Sequence, residues 1–302
     1  MNKKFNINGG GSEKSIKLGL PSGSLEEATF ALFEKAGFKF LRNSRSYYPV
    51  ADDDELEVVL IRAQEIAGYV DKGVFDAGIT GKDWIMENEA DVIEIIELAY
   101  SKRSMKPVKW VLAVPEDSEI KTVNDLNNKS IATELVNTTR NYLAEKGISA
   151  SVEFSWGATE VKSPILVDAI AEATETGRSL KENNLRIIDT ILISTPRFIA
   201  NKESYADSWK KEKIDQIALL LQGALNAYGL VGLKFNLPRN RIEEARSLVP
   251  AMKDPTISSL LDENWVALEI VTKEKEVRDI IPLLKKIEAR DIIEYPLNKV
   301  IY

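Results

Sequence analysis

The chain has 302 residues, 44% hydrophobic and 29% charged, with 47 acidic against 40 basic side chains and a net charge of -7. This is an ordinary globular composition of about two domains' length, and its mild acidity argues against a general nucleic-acid or anionic-membrane binder. Cysteine and histidine are both missing, which excludes disulfides, thiolate metal sites, thiol nucleophiles, imidazole ligands and a Ser-His-Asp triad. Chemistry is left to carboxylates, Lys, Arg, Tyr, hydroxyls, backbone amides and metals held by oxygen. No apolar run approaches the ~18 residues of a membrane span, and the first residues lack the apolar segment of a secretory signal. A cytoplasmic protein is expected.

Residues 1–15 are polar and glycine-rich and are expected to form a disordered leader. The Gly9-Gly10-Gly11 run lacks a following Gly-Lys-Ser/Thr, so it is not read as a phosphate loop. From Ile16 onward, strand and helix alternate. Ile16–Leu20 reads as a buried strand. Leu25, Ala28, Leu32 and Ala36 then recur at helical spacing, with Ser24 and Glu27 placed as a capping box. Leu56–Ile61 is a strand, 63–71 a helix and Phe75–Ile79 a strand. Further strands are expected at Val92–Leu98, Val108–Val114, Ser130–Leu135, Val152–Trp156, Val167–Ala173 and Leu185–Ile193. A helix is expected over Thr139–Lys146 and a longer one over Lys210–Tyr228. Alternation of this kind argues a parallel-rich α/β core over about 16–205, long enough for two lobes and a cleft. Beyond Gly229 the order is strand, helix, strand, strand, helix, strand, that of a ferredoxin-like unit.

Chemistry concentrates in Asp168-Ala-Ile-Ala-Glu172-Ala-Thr174-Glu175-Thr176-Gly177-Arg178-Ser179. A strand enters a hydroxyl-rich turn with one glycine, and a helix starts near Arg178. Backbone N–H groups with the Thr176 and Ser179 hydroxyls make an anion site there. Asp168 and Glu172 share one face of the strand and suit a vicinal diol or a magnesium-bound sugar. Two other strand-to-helix turns carry small and hydroxyl residues: Ser22-Gly23-Ser24, and the segment holding Gly78 and Thr80. Together such turns suit a multiply phosphorylated ligand. Arg42, Arg45, Lys102 and Arg103 fall near expected strand ends, where arginine grips phosphate bidentately. A surface ion pair is the plain alternative for Glu160 and Lys162, and a turn cap for Asp254 and Thr256.

IKLGLPSGSLEEATFALFEKAG, FDAGITGKDW, WGATEVK and DAIAEATETGRSL occur in that order, followed by LKFNLPR, DPTISSLLDENWVAL and EYPLNKVI. The chain resembles the long form of the ATP phosphoribosyltransferases, over nearly all its length from Ile16. The resemblance implies a two-lobed, periplasmic-binding-protein type II-like catalytic core with a C-terminal ferredoxin-like regulatory domain. It implies lobe I at 16–100 and 188–225, lobe II at 101–187 and the regulatory domain at 226–302. The activity implied is transfer of 5-phosphoribosyl from phosphoribosyl diphosphate to N1 of ATP, with Mg2+ required, pyrophosphate released and histidine inhibiting. Homo-oligomers, dimers and hexamers, are implied as well.

Residue by residue, the resemblance places Asp168, Glu172, Thr174, Glu175, Thr176, Gly177, Arg178 and Ser179 on the 5-phosphate and ribose. Ser22, Gly23, Ser24, Gly78, Thr80 and Lys102 fall to the ATP and pyrophosphate side. Glu160 and Arg45 are the candidate catalytic residues, Glu160 against the adenine amino group. Asn236, Met252, Asp254 and Thr256 are the candidate histidine contacts. Ser22 stands where the family usually carries lysine, Ser179 where threonine is usual, and Asn236 where aspartate is frequent. A cation such as Lys17, Arg45 or Lys102 is expected to compensate for Ser22. The competing readings are a small-molecule binding protein without catalysis, and an impaired paralogue that needs a partner subunit. A receptor would carry a secretion signal and a regulator a helix-turn-helix, and the sequence shows neither.

Overall fold

The computed structural model describes residues 14–42, 46–99, 107–249 and 255–302. Arg45, Lys102, Arg103, Met252, Asp254 and most of the expected leader lie outside the described residues. The chain divides into two compact units, the first ending at Ala218 and the second starting at Leu219.

The first unit holds two five-stranded sheets. The strands of one follow the order Leu56–Arg62, Ile16–Ser22, Ala77–Gly81, Pro196–Ala200, Ile93–Glu97. The first three run parallel, and Pro196–Ala200 is antiparallel to both its neighbours. Leu18, Gly19, Leu20 and Pro21 are buried in succession, as expected of a strand covered on both faces. The other sheet runs Leu185–Ser194, Val108–Pro115, Ala169–Thr174, Ser130–Thr133, Ser151–Phe154. Its last three strands are parallel to one another, while Val108–Pro115 is antiparallel to Ala169–Thr174. Leu112, Leu126, Ile131 and Leu143 pack on one face, and Val111, Ile170, Leu180 and Leu185 on the other. Two sheets with a single late strand returning to the first make the two-lobed plan of type II periplasmic binding proteins.

Leu185–Ser194 pairs with Val108–Pro115 from Leu185 to Ser194. The lobe boundary expected at 187/188 therefore falls inside a strand of the second sheet, and the return to the first sheet comes at Thr195. The reason is packing: Ile188 and Ile191 lie against the second lobe's core. The capping box expected from Ser24 and Glu27 is not formed either. The helix starts at Glu26, Leu25 occupies the cap position, and the Glu26 carboxylate accepts from the Gly23 N–H at 3.4 Å.

Two of the contacts between the sheets are made by carboxylates of the first lobe. Asp83 is buried and accepts from Trp110 Nε1 at 2.7 Å, and its own N–H donates to the Ser194 hydroxyl at 3.1 Å. Burial pushes the Asp83 carboxyl up, against the lowering by hydrogen bonds from the Trp110 and Ser194 side chains and the Trp84 N–H. The second contact is a helix cap. The Glu87 carboxylate accepts the N–H groups of Asn137 and Thr138 at 3.0 and 2.9 Å, the orphan donors of any helix start. That long-range cap explains why the helix begins at Val136, three residues before the expected Thr139.

The second unit has a four-stranded antiparallel sheet ordered Thr256–Ser259, Trp265–Lys273, Leu230–Pro238, Arg290–Pro296. With helices Ile242–Leu248 and Glu274–Lys286 in the chain order, this is the ferredoxin-like arrangement. Leu233, Phe235, Leu268 and Ile270 alternate inward onto Val277, Ile280 and Leu284, the period-two pattern of a half-covered sheet. On the other face Gly232 admits the Tyr295 ring, since a Cβ there would lie 2.2 Å from it.

Candidate active site

The three parallel strands of the second sheet end at one edge, and the polar groups collect just beyond it. Ser130–Thr133 is followed by Glu134, Ser151–Phe154 by Ser155, and Ala169–Thr174 by the 174–179 loop. Ala158, at φ 48°, turns the chain into the short helical turn Thr159–Val161, which brings Thr159 and Glu160 back over the edge. Ser155 and Thr159 are fully buried and share a 2.8 Å hydrogen bond. Lys162 Nζ donates to Ser155 Oγ at 2.7 Å, and the Ser179 hydroxyl donates to Glu160 Oε1 at 2.7 Å. The ion pair that Glu160 and Lys162 could have made is replaced by these two bonds.

Glu172 is the charged group of this edge with the most unusual environment. Burial pushes its carboxyl up, and the nearby Glu160 and Glu134 add to the rise. Hydrogen bonds from the Thr159 side chain and the Ala173 N–H oppose it. Glu134 is also pushed up by burial, against a hydrogen bond with Gln64 of the first lobe. In the loop, Gly177 has φ 74° and donates its N–H to Thr174 Oγ1 at 2.7 Å. Thr176 Oγ1 accepts the Arg178 N–H at 3.4 Å. Arg178 itself turns outward to Glu182, 2.7 Å away. The helix expected after the loop has five residues, Arg178–Glu182, so the loop's own N–H and hydroxyl groups must do most of any anion binding.

Asp168 does not join this cluster. It precedes the strand, at the opposite edge of the sheet, and accepts from the Ser130 N–H and hydroxyl, both at 2.8 Å, with Lys129 Nζ at 3.3 Å. The Ser130 backbone bond is the main reason its carboxyl lies below the usual range. A residue so engaged closes a strand start and is not placed for a ribose. Gly78 and Thr80 are corrected likewise. A Cβ on Gly78 would sit 2.6 Å from Ile66 Cγ2, and the buried Thr80 hydroxyl donates to the Ala63 carbonyl at 2.6 Å. Both serve sheet–helix packing.

In the first lobe, Ser22 closes its strand opposite Arg62, and Gly23 follows at φ 87°. A Cβ on Gly23 would lie 3.4 Å from an Arg62 guanidinium nitrogen. Arg62 is therefore a cation beside the expected phosphate turn, and the sequence reading passed it over because it sits at the end of an apolar strand. Lys17 is at the far end of its strand, with its N–H on Asp76 at 2.8 Å, so it is not the compensating cation. Ser24 is exposed at the turn.

In the second unit, Asn236 Nδ2 donates to Asp291 at 2.9 Å. Asn236 pairs across the sheet with Ala267, and Thr256 with Glu269. Both side chains fall on the face away from the helices, with the strand Trp265–Lys273 between them, so the structure puts them on one surface without bringing them together. Tyr295 crosses the same face to Glu269, which raises its hydroxyl to about 12.

A family model described as HisG, ATP phosphoribosyltransferase, matches residues 62–223, and one described as HisG, C-terminal domain, matches 227–299. The ATP phosphoribosyltransferase of Chlorobium phaeobacteroides is 60% identical over 286 residues, 95% of this chain and 97% of that protein. The chain belongs to the ATP phosphoribosyltransferase family. It is thus an enzyme, a pentosyltransferase. The ATP phosphoribosyltransferase of Pelotomaculum thermopropionicum is 59% identical, covering 95% of this chain and 99% of its own. Among solved structures, an ATP phosphoribosyl transferase (HisG:HisZ) complex from Thermotoga maritima aligns with a TM-score of 0.58 at 30% identity. That alignment covers 68% of this chain and 98% of that one.

In this ATP phosphoribosyltransferase chain, Arg62, Glu134, Ser155 and Thr159 are residues of the candidate site that the sequence does not single out. Ser155 and Thr159 had a signal: Ser155 adjoins the WGATEVK segment already singled out for Glu160, and Thr159 lies within it. Glu134 had none, because it reads as the tail of a strand.

Proposed function

We propose that the chain transfers the 5-phosphoribosyl group of phosphoribosyl diphosphate to N1 of the ATP adenine, releasing pyrophosphate, as the first step of L-histidine biosynthesis. The observation that carries this reading is the gathering of Glu172, Glu160 and the 174–179 loop at one sheet edge, in a chain of this family. Adenine N1 is already a neutral nucleophile at pH 7, so no strong base is required. The bond from the anomeric carbon to pyrophosphate breaks as positive charge builds on the ribose, and positioning and electrostatics dominate. In this reading Glu172 accepts from the ribose hydroxyls, and the Thr174–Ser179 loop binds the 5-phosphate through N–H and hydroxyl groups. Ser22, Gly23 and Arg62 face the departing pyrophosphate. The second oxygen of Glu160 takes the adenine amino group.

Mg2+ supplies charge neutralisation on the leaving group. Among the described residues, no group of three or more acidic side chains could hold a metal. Magnesium usually takes one or two carboxylates with substrate phosphates and water. When bound, such an ion would be held mainly by the diphosphate, and Glu160 and Glu172 are the carboxylates of this edge that could add a protein oxygen.

The regulatory half of the proposal places histidine at Asn236, Met252, Asp254 and Thr256, as an inhibitor, in a homo-oligomer of dimers or hexamers. Among the described residues, no helix is long and apolar enough to cross a membrane, and the proposed compartment is the cytoplasm. The test is pyrophosphate release from ATP, phosphoribosyl diphosphate and Mg2+, with and without histidine. Release that histidine suppresses supports both halves. Release that ignores histidine removes the regulatory half, and no release from folded protein removes the catalytic one.

A further inference from the structure

The 174–179 loop offers a phosphate hydrogen bonds but little positive charge. Part of its donor set is already spent: the Gly177 N–H on Thr174 Oγ1, the Arg178 N–H on Thr176 Oγ1 and the Ser179 hydroxyl on Glu160. Its one cation, Arg178, is exposed and paired with Glu182 at 2.7 Å. The helix that follows has five residues, with few aligned peptide dipoles to sum. Glu134, Glu160 and Glu172 make the same edge acidic. A phosphate monoester carries about two negative charges at pH 7, so holding one here calls for a cation from outside the loop.

The sheet register supplies one. Lys109 is the second residue of Val108–Pro115, which runs antiparallel to Ala169–Thr174 and so starts where that strand ends. It pairs directly with Thr174, as Val111 pairs with Glu172 and Ala113 with Ile170. Residues two apart share a face, and on that face Val111, Ala113 and Ile170 meet Leu180 of the helix 178–182. Lys109 therefore stands on the face that carries Glu172 and Thr174 and that the loop's helix covers. Residues directly opposite in such a pair have Cβ atoms about 4.5–5.5 Å apart, within reach of a flexible four-carbon stem. On its other side Lys109 pairs with Ile193. It is exposed and makes no ion pair among the described residues. The other described cations nearby are placed differently. Lys162 is turned to Ser155 Oγ at 2.7 Å, Lys129 serves Asp168 at the opposite edge, and Lys181 lies in the last turn of its helix, away from the loop.

We propose that Lys109 is a substrate-binding residue whose ammonium supplies the positive charge for the 5-phosphate held by the 174–179 loop. This rests on the assignment of that loop to the 5-phosphate above. It makes Lys109 a determinant of specificity for the phosphorylated sugar, with no part in bond breaking. The diphosphate leaves from the anomeric carbon, on the side given to Ser22, Gly23 and Arg62. The two ends of the substrate thus draw on different cations.

The test is calorimetric titration of the full-length protein with ribose 5-phosphate and, separately, with pyrophosphate, both without Mg2+. Lys109→Met is expected to weaken ribose 5-phosphate binding about 10- to 100-fold, the scale of a hydrogen bond to a charged group. Its pyrophosphate affinity should stay within about twofold of wild type, since one end of the substrate alone is affected. Lys109→Arg keeps the charge and should bind both ligands nearly as wild type does. In kinetics, Lys109→Met should raise KM for phosphoribosyl diphosphate and leave kcat and KM for ATP near wild type. Unchanged ribose 5-phosphate affinity in folded Lys109→Met overturns the proposal. So does a pyrophosphate affinity that falls as far, which would put Lys109 at the diphosphate end, and so does a loss confined to kcat. Wild-type protein that binds ribose 5-phosphate yet releases no pyrophosphate from the full reaction overturns the catalytic reading, while the binding comparison still decides Lys109. Wild-type protein that binds no ribose 5-phosphate overturns the loop assignment and the role of Lys109 together.

Discussion

The strand Ala169–Thr174 has one acidic side chain just before it, Asp168, and another within it, Glu172, and the two edges of its sheet treat them in opposite ways. At the N-terminal edge, Asp168 receives two donors from Ser130 and one from Lys129, and its carboxyl is held below the usual range. Toward the C-terminal edge, Glu172 is half-buried near other acids and pushed up. Four residue steps along the chain separate them by about 13 Å. The N-terminal edge spends its donors on its own carboxylate. The C-terminal edge keeps acceptors and hydroxyls beyond what the fold consumes, which is where open α/β sheets take their ligands.

The largest way to break this contrast is to remove the floor that both ends share. Leu112 is fully buried in the second lobe's core. Leu112→Ala is expected to cost about 2–5 kcal/mol, read as a lower urea midpoint with an unchanged slope. Both edges should suffer together.

A smaller effect is expected from Glu87, which caps the Val136–Glu145 helix from the other lobe. Glu87→Ala should cost about 0.5–2 kcal/mol, the range for a lost helix cap. Amide exchange should quicken first at Asn137 and Thr138. Exchange that quickens evenly over the whole lobe would deny the cap.

The smallest effect sharpens the contrast by its pH dependence. A carboxylate whose folded pKa is depressed stabilises above its unfolded value and loses that contribution as pH falls through the folded one. Asp168→Ala should therefore lower the melting temperature at pH 7, and the gap from wild type should close below the ordinary aspartate value of 3.8. A gap that persists unchanged at pH 3 would mean that the Ser130 and Lys129 bonds do not stabilise the fold.

The alternation of strands and helices was legible because strands buried on both faces, such as Ile16–Ser22, read as apolar runs. The ferredoxin-like order was legible for a related reason, the inward alternation of Leu233, Phe235 and Leu237. Spacing also put Asp168 and Glu172 on one face, but periodicity says nothing of which end of a strand faces a ligand. Asp83, Trp110 and Ser194 could not be linked from sequence, since the bonding partners lie 27 and 111 positions apart. The Glu87 cap failed for the same reason, at 50 and 51 positions. Ser24 and Glu27 show the converse: a local pattern fitted a capping box, and the chain used the adjacent Glu26.

The division of labour between the two edges can be tested in one pair of variants. The measurement is kcat/KM for phosphoribosyl diphosphate in Glu172→Gln and Asp168→Asn, each confirmed as folded. Hydrogen bonds to a charged group are worth about 1.5–3 kcal/mol, so Glu172→Gln is expected to lose about 10- to 100-fold, with Asp168→Asn within about threefold of wild type. Equal losses, or a larger loss in Asp168→Asn, would contradict the assignment of the site to the C-terminal edge.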